Sequence, residues 1–260
     1  MDQFDKNHLE NSHTFTNALK AVEEWCIKYN IPEDHGLSHA ITVAQNAREA
    51  LSDFELTSDQ RMAAILAALF HDIEDRKFVP SENLSGTRNI LQQLGLNSEA
   101  VELVILMIHL VSCSKNGINV DDSYPKWYYI PRDADRVEAL GYVGIQRAYY
   151  TTVGFIKRGK FQTCFFNSDT VRCRDEKELE QVATENRLKE YMKIGYSISL
   201  IDHFYDKLLH IRRLSSGSRT LQKLADERHC IMVNFVLDFG KTGAIDWHKY
   251  GINPESKDAQ

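Results

Sequence analysis

The stretch Thr57-Ser58-Asp59-Gln60-Arg61-Met62-Ala63-Ala64-Ile65-Leu66-Ala67-Ala68-Leu69-Phe70-His71-Asp72-Ile73-Glu74-Asp75 decides the fold class. Thr57 and Gln60 have the spacing of a capping box, in which each side chain satisfies the other residue's backbone N–H. Met62, Ile65, Leu66, Leu69 and Phe70 then recur at steps of three and four, the period of a helix face. The helix they predict delivers His71 and Asp72 at its far end. Its apolar core, Met62 to Phe70, is nine residues long, whereas a membrane span needs roughly 18 or more.

The same period runs outward in both directions. Upstream, Phe15, Leu19, Val22, Cys26 and Tyr29 form one face of a first helix, which ends before Pro32 because a residue preceding proline is pushed out of the α region. A second helix is expected from about Gly36 to Leu51, with Val43, Ala47 and Ala50 inward. Downstream, helices are expected over about 81–94, closed by Gly95, and from about Ser98 to Val111. Residues 112–125 read as a loop. Pro131 suits the first turn of a helix through Asp135, Leu140 and Ile145. Residues 157–180 look irregular, two long helices are expected over 184–214 and 216–239, and the last fifteen or so residues look like a loose tail. No stretch alternates with period two, so the expected class is all-α, in a single domain.

Composition narrows the function classes. With 37 acidic and 31 basic residues the chain carries a net charge of −6, which lacks the broad positive field that nucleic-acid phosphates require. An anionic substrate must be met by local cations or a metal. The five cysteines are scattered and form no C-x-x-C pair, so neither a zinc ribbon nor a redox dithiol is written here. The first residues have neither the basic start nor the apolar stretch of a signal peptide, and reduced thiols in the cytoplasm are the expectation.

Chemistry concentrates in His39, His71, Asp72 and Asp135, set on three helices far apart in sequence. Imidazole and carboxylate suit a borderline divalent ion, and two nitrogens plus two oxygens leave positions open for water and substrate. Asp133 competes with Asp135. Two positions apart on a helix, they face nearly opposite ways, so both cannot bind one ion. Asp133 shares a face with Val137, Leu140 and Gly144, and an N-cap role is open to it. Glu74 and Asp75 follow the His-Asp pair closely enough for proton transfer to or from a bound water, with Asp75 the first candidate for the acid/base.

In this order, His39, His71-Asp72 and Asp135 resemble the H…HD…D signature of the HD-domain metal-dependent phosphohydrolases. The string Asp133-Ala134-Asp135-Arg136-Val137-Glu138-Ala139-Leu140-Gly141 is similar to a distinctive stretch of the small YedJ-like subgroup. So are Asp202-His203-Phe204-Tyr205-Asp206-Lys207-Leu208-Leu209 and Ala225-Asp226-Glu227-Arg228. The likeness covers roughly residues 15–240.

The resemblance implies a helical HD bundle with additional C-terminal helices. An N-terminal helix (1–30) would pack on an HD core (31–150), followed by a C-terminal helical part (151–240) and a tail (241–260). It places the metal ligand at Asp135 rather than Asp133. It implies one divalent ion (Mn, Co, Ni, Fe, Zn or Mg) and cleavage of a phosphate ester of a nucleotide or other small phosphorylated metabolite. Lys115, Arg136, His203 and Lys207 become candidate substrate contacts. His35 and His109 join them, because dinuclear members need more histidines between the HD pair and the last aspartate than this chain has. No nucleic-acid polymer and no membrane are expected as partners, and assembly into a homo-oligomer stays open. Two alternatives remain, a non-catalytic or regulatory ligand-binding HD protein and a di-iron HD-fold oxygenase.

Overall fold

Helix α3 (Ser58–Phe70) is apolar almost all round, and a helix of that kind must be surrounded. The computed structural model describes residues 3–32, 35–75, 78–79, 81–112, 116, 120–159 and 164–254, side chains from residue 13 onward. In it α3 touches α1 (Gln3–Tyr29), α2 (Leu37–Ala50) and α5 (Ser98–Val111). Ala63, Ala64 and Leu66 to Phe70 are buried. Its alanines let the neighbouring helices approach closely, which is why so short a helix can be enclosed. The capping box is present, with the Thr57 N–H donating to Gln60 Oε1 at 2.9 Å and the Gln60 N–H to Thr57 Oγ1 at 3.3 Å.

The fourth helix, α4 (Ser85–Gln93), begins four residues later than the apolar pattern suggests. Asn83 and Leu84 both adopt left-handed backbone, with φ of 54° and 55°, and delay its start. Beyond α5, a 3₁₀ turn (Lys126–Tyr129) leads into α6 (Ile130–Glu138), with Pro131 in its first turn as expected. The helix does not continue through Ile145. It stops at Glu138, and α7 (Gly141–Lys157) starts afresh with Gly141 in positive φ. Residues 1–135 and 214–221 form one compact unit, and 136–213 with 222–260 form a second.

The second unit holds α7, α8 (Glu176–Val182), α9 (Glu185–Ile194), α10 (Leu200–His203) and most of α11 (Arg219–Thr242). The expected long helix over 184–214 is broken. Gly195 caps α9 in the left-handed region at φ +82°, and α10 runs directly into a π-helical turn at Phe204–Leu208. Helix α8 lies in the stretch expected to be irregular. The expected loose tail is also packed as far as Ile252: Tyr250 and Ile252 are buried, and the Tyr250 hydroxyl donates to Asp238 Oδ2 at 2.6 Å. Trp247 meets Tyr149 and Phe165 at ring distances of 4.7 and 5.0 Å, and such aromatic area is enough to order a short segment. Among the described residues there is no strand, only an isolated bridge between Cys164 and Ser199. The all-α expectation holds, and no described helix is long and apolar enough to cross a membrane.

Candidate metal centre

Three chain segments of the first unit meet where α3 ends. His71 is the C-cap of α3, with Asp72 next in the turn; α2 contributes His39 from its first turn and α6 contributes Asp135. His71 Nδ1 lies 2.8 Å from the Ala68 carbonyl, to which it donates. That bond leaves Nε2 as the atom turned toward His39 and the two carboxylates. The Nε2 atoms of His39 and His71 are 3.3 Å apart. Asp72 Oδ2 is 3.7 Å from His39 Nε2 and 3.4 Å from His71 Nε2. Asp135 Oδ1 is 3.3 and 3.6 Å from the same two atoms.

This arrangement passes a simple fit test. Two donors each about 2.1 Å from one ion stand roughly 3.0–3.4 Å apart at the angles of tetrahedral or octahedral coordination. The ligand atoms of His39, His71 and Asp72 all lie within 4.8 Å of one another, and Asp135 converges on both imidazoles. Among the described residues this is the one such group of His, Cys, Asp and Glu.

The electrostatics point the same way. Burial alone would push the Asp72 and Asp135 carboxyls up. For Asp72 the charge of His71 and hydrogen bonds from His35 and His71 outweigh it; for Asp135 hydrogen bonds from His39 and His71 do. Both carboxylates are therefore held far below the ordinary range. His71 moves oppositely: burial opposes its charge, but Asp72 and Asp135 draw it well above the usual imidazole value. A buried cluster that keeps two carboxylates ionised and pulls a proton onto a histidine is short of positive charge, and a divalent cation supplies that charge.

Asp133 and Asp135 have different partners, those of Asp133 lying 82 and 83 residues along the chain. Asp133 is fully buried, and its Oδ2 accepts the backbone N–H groups of Ser215 at 2.8 Å and Ser216 at 2.6 Å. It is a structural anchor for the 214–221 segment. Asp135 faces the histidines.

The remaining candidates fall into three groups. Glu74 changes role. Its Oε1 accepts the Gly86 N–H at 3.1 Å, and its Oε2 accepts the Thr87 N–H and hydroxyl, both at 2.6 Å. These bonds tie the Glu74 carboxylate to the start of α4, while Asp75 sits part-buried in the turn after His71 and Asp72. His35 is nearer the centre than expected, though it precedes α2 rather than riding on it. Its Nδ1 lies 2.7 Å from Asp72 Oδ2 and its ring 6.3 Å from that of His39. His109 is exposed in the last turn of α5. Arg136 is buried at 3 % exposure, not held out as a surface cation. Lys115 lies outside the described residues. His203 and Lys207 belong to the second unit.

The partners of Glu74 escaped the sequence reading, since Gly86 and Thr87 carry no motif.

The uncharacterized protein L803 of Acanthamoeba polyphaga mimivirus is 31% identical over 235 residues, covering 84% of this chain and 93% of that protein. The crystal structure of an HD-superfamily hydrolase from Bacillus thuringiensis superposes with a TM-score of 0.60 at 20% identity, over 89% of this chain and 97% of its own. The chain belongs to one family with L803 and shares the fold of that HD-superfamily hydrolase. The uncharacterized protein YpgQ of Bacillus subtilis is 28% identical over 178 residues, 67% of this chain and 69% of YpgQ. The structure of YpgQ in complex with ADP superposes with a TM-score of 0.54, covering 86% of this chain. The sequence matches no protein-family model.

Proposed function

We propose that the protein is a metal-dependent hydrolase that cleaves a phosphate ester of a nucleotide or other small phosphorylated metabolite, within the YedJ-like group that its 133–141 string resembles. The observation that carries this is the approach of two imidazole Nε2 atoms to 3.3 Å with carboxylates from α6 and the HD turn beside them. His39, His71, Asp72 and Asp135 would hold the ion. When bound, a divalent cation supplies Lewis acidity, which acidifies water and offsets charge growing on phosphoryl oxygens. The chain's own residues do the rest. The Ala68 carbonyl orients His71, and His35 hydrogen-bonds the Asp72 oxygen turned toward both imidazoles, each fixing the direction of a ligand. Asp75 would accept the proton of the attacking water and return one to the leaving oxygen. The ADP complex of YpgQ supports a nucleotide among the substrates.

The test is phosphate release from a panel of nucleotides and sugar phosphates, with chelator-treated protein reloaded with manganese. Asp72→Ala should abolish release. If the wild type releases no phosphate from any member of the panel, the ligand-binding alternative takes over. Two irons per chain with oxygen uptake would instead establish the oxygenase.

A further inference from the structure

The four candidate ligands are not held equally. His39 rides in the first turn of α2, Asp135 in α6, and His71 caps α3 with its ring bonded to the Ala68 carbonyl. Asp72 lies in the turn beyond, outside the helix and its cap. That turn is closed by the Asp75 N–H, which donates to the Asp72 carbonyl at 3.1 Å, and Ile73 seats it in the core. Two residues past Asp72, the Glu74 side chain leaves the turn for α4.

Helix α4 depends on that side chain. A helix start presents backbone N–H groups that have no partner inside the helix. In α4 each one is accounted for. Ser85 donates to the Glu82 carbonyl at 3.2 Å and Arg88 to the Leu84 carbonyl at 2.9 Å. Gly86 and Thr87 donate to Glu74 at 3.1 and 2.6 Å, and the Thr87 hydroxyl adds a third bond at 2.6 Å. Leu84, the N-cap residue, has no side chain that could serve. Glu74 therefore caps α4 from 12 and 13 residues away along the chain. These bonds are charge-assisted, and the carboxylate meets the positive end of the helix dipole. Glu74 and Thr87 are both buried, so neither end of the link can turn to solvent. Nor is there slack beside it: a Cβ at Gly86 would stand 3.0 Å from Glu74 Oε1 and run into the Trp25 ring of α1.

We propose that Glu74 is a positioning residue for Asp72. By capping α4 it pins the far end of the turn, and so fixes the one candidate ligand that neither a helix nor its cap contains. This rests on the metal centre proposed above and goes beyond it, to a residue that sets affinity through the backbone.

Manganese affinity tests it. A proton carrier at this position would alter turnover and leave affinity alone, and a cap serving stability alone would lower only Tm. Free manganese is counted by electron paramagnetic resonance as the chelator-treated full chain is titrated, at a temperature where circular dichroism shows each variant folded. Glu74→Ala and Glu74→Asp should both bind about tenfold more weakly than wild type, the lower end of what losing a residue behind the ligands costs a metal site. Aspartate keeps the charge but is one methylene too short to reach Gly86 and Thr87 from the same backbone. It thus separates positioning from plain attraction of the cation, and it carries the test where the alanine variant does not fold. Wild-type affinity in either folded variant overturns the inference alone. A wild type that binds no manganese refutes the metal centre itself and removes this inference with it.

Discussion

Replacing Asp133 by alanine separates the anchor from the ligand. Asp133 Oδ2 accepts two backbone N–H groups, from Ser215 and Ser216, and all three residues are buried. Hydrogen bonds to a charged group contribute about 1.5–3 kcal/mol each, and buried donors left behind go unsatisfied, so Asp133→Ala should cost about 3–6 kcal/mol. For a chain of this size each kcal/mol lowers Tm by about 2–4 °C, which predicts a fall of about 6–24 °C. Asp133→Asn keeps an acceptor oxygen but loses the charge, and should fall between that variant and the wild type. The assay is thermal melting by circular dichroism, paired with manganese stoichiometry measured well below the melting range. Asp133→Ala should bind manganese while folded, whereas Asp135→Ala should not. A Tm within about 3 °C of wild type, or a folded Asp133→Ala that takes up no manganese, would refute the assignment of Asp133 as anchor.

Three further outcomes follow from neighbouring contacts. A Cβ added at Gly86 would meet Trp25 Cη2 at 2.1 Å, so Gly86→Ala should destabilise by about 1–3 kcal/mol through overpacking, and Trp25→Leu should relieve part of that in a double-mutant melt. Additive losses would show that the indole is not the obstacle. Glu74→Ala strands the Gly86 and Thr87 donors and should cost at least about 2 kcal/mol while leaving turnover measurable at low temperature; an unchanged Tm with abolished turnover would return Glu74 to catalysis. At Asp53, burial raises the carboxyl, but the Ser218 hydroxyl and Thr220 N–H outweigh it and hold it below its ordinary value. A carboxyl depressed on folding stabilises above its unfolded pKa, near 3.9, and that stability is lost as pH falls through the lower folded value. Melts at about pH 5, 4 and 3 should therefore steepen in wild type relative to Asp53→Asn, and parallel curves would contradict it.

Much of the helical architecture was legible residue by residue. Thr57 and Gln60 mark the start of α3, its all-round apolarity predicts its enclosure, and Pro131 marks the first turn of α6. These signals are local, because a helix is specified by neighbours three and four positions apart. The breaks were harder. The apolar period runs on through Gly195, so α9 and α10 looked continuous until the left-handed glycine and the π-helical turn separated them. Likewise Trp247, Tyr250 and Ile252 looked like part of a tail, because the rings that order them come from elsewhere in the chain.

The metal centre divides along the same line. The residue types and order of His39, His71, Asp72 and Asp135 are written in the sequence, and the kind of ion they suit follows from their donor atoms. Which aspartate faces the histidines and which carboxylate is taken up by backbone donors are written nowhere locally. They depend on Ser215 and Ser216 reaching Asp133 and on Gly86 and Thr87 reaching Glu74. Local periodicity determines where helices form, but a polar side chain's role depends on which donors tertiary packing brings to it, and a buried carboxylate commits to those donors before any chemistry begins.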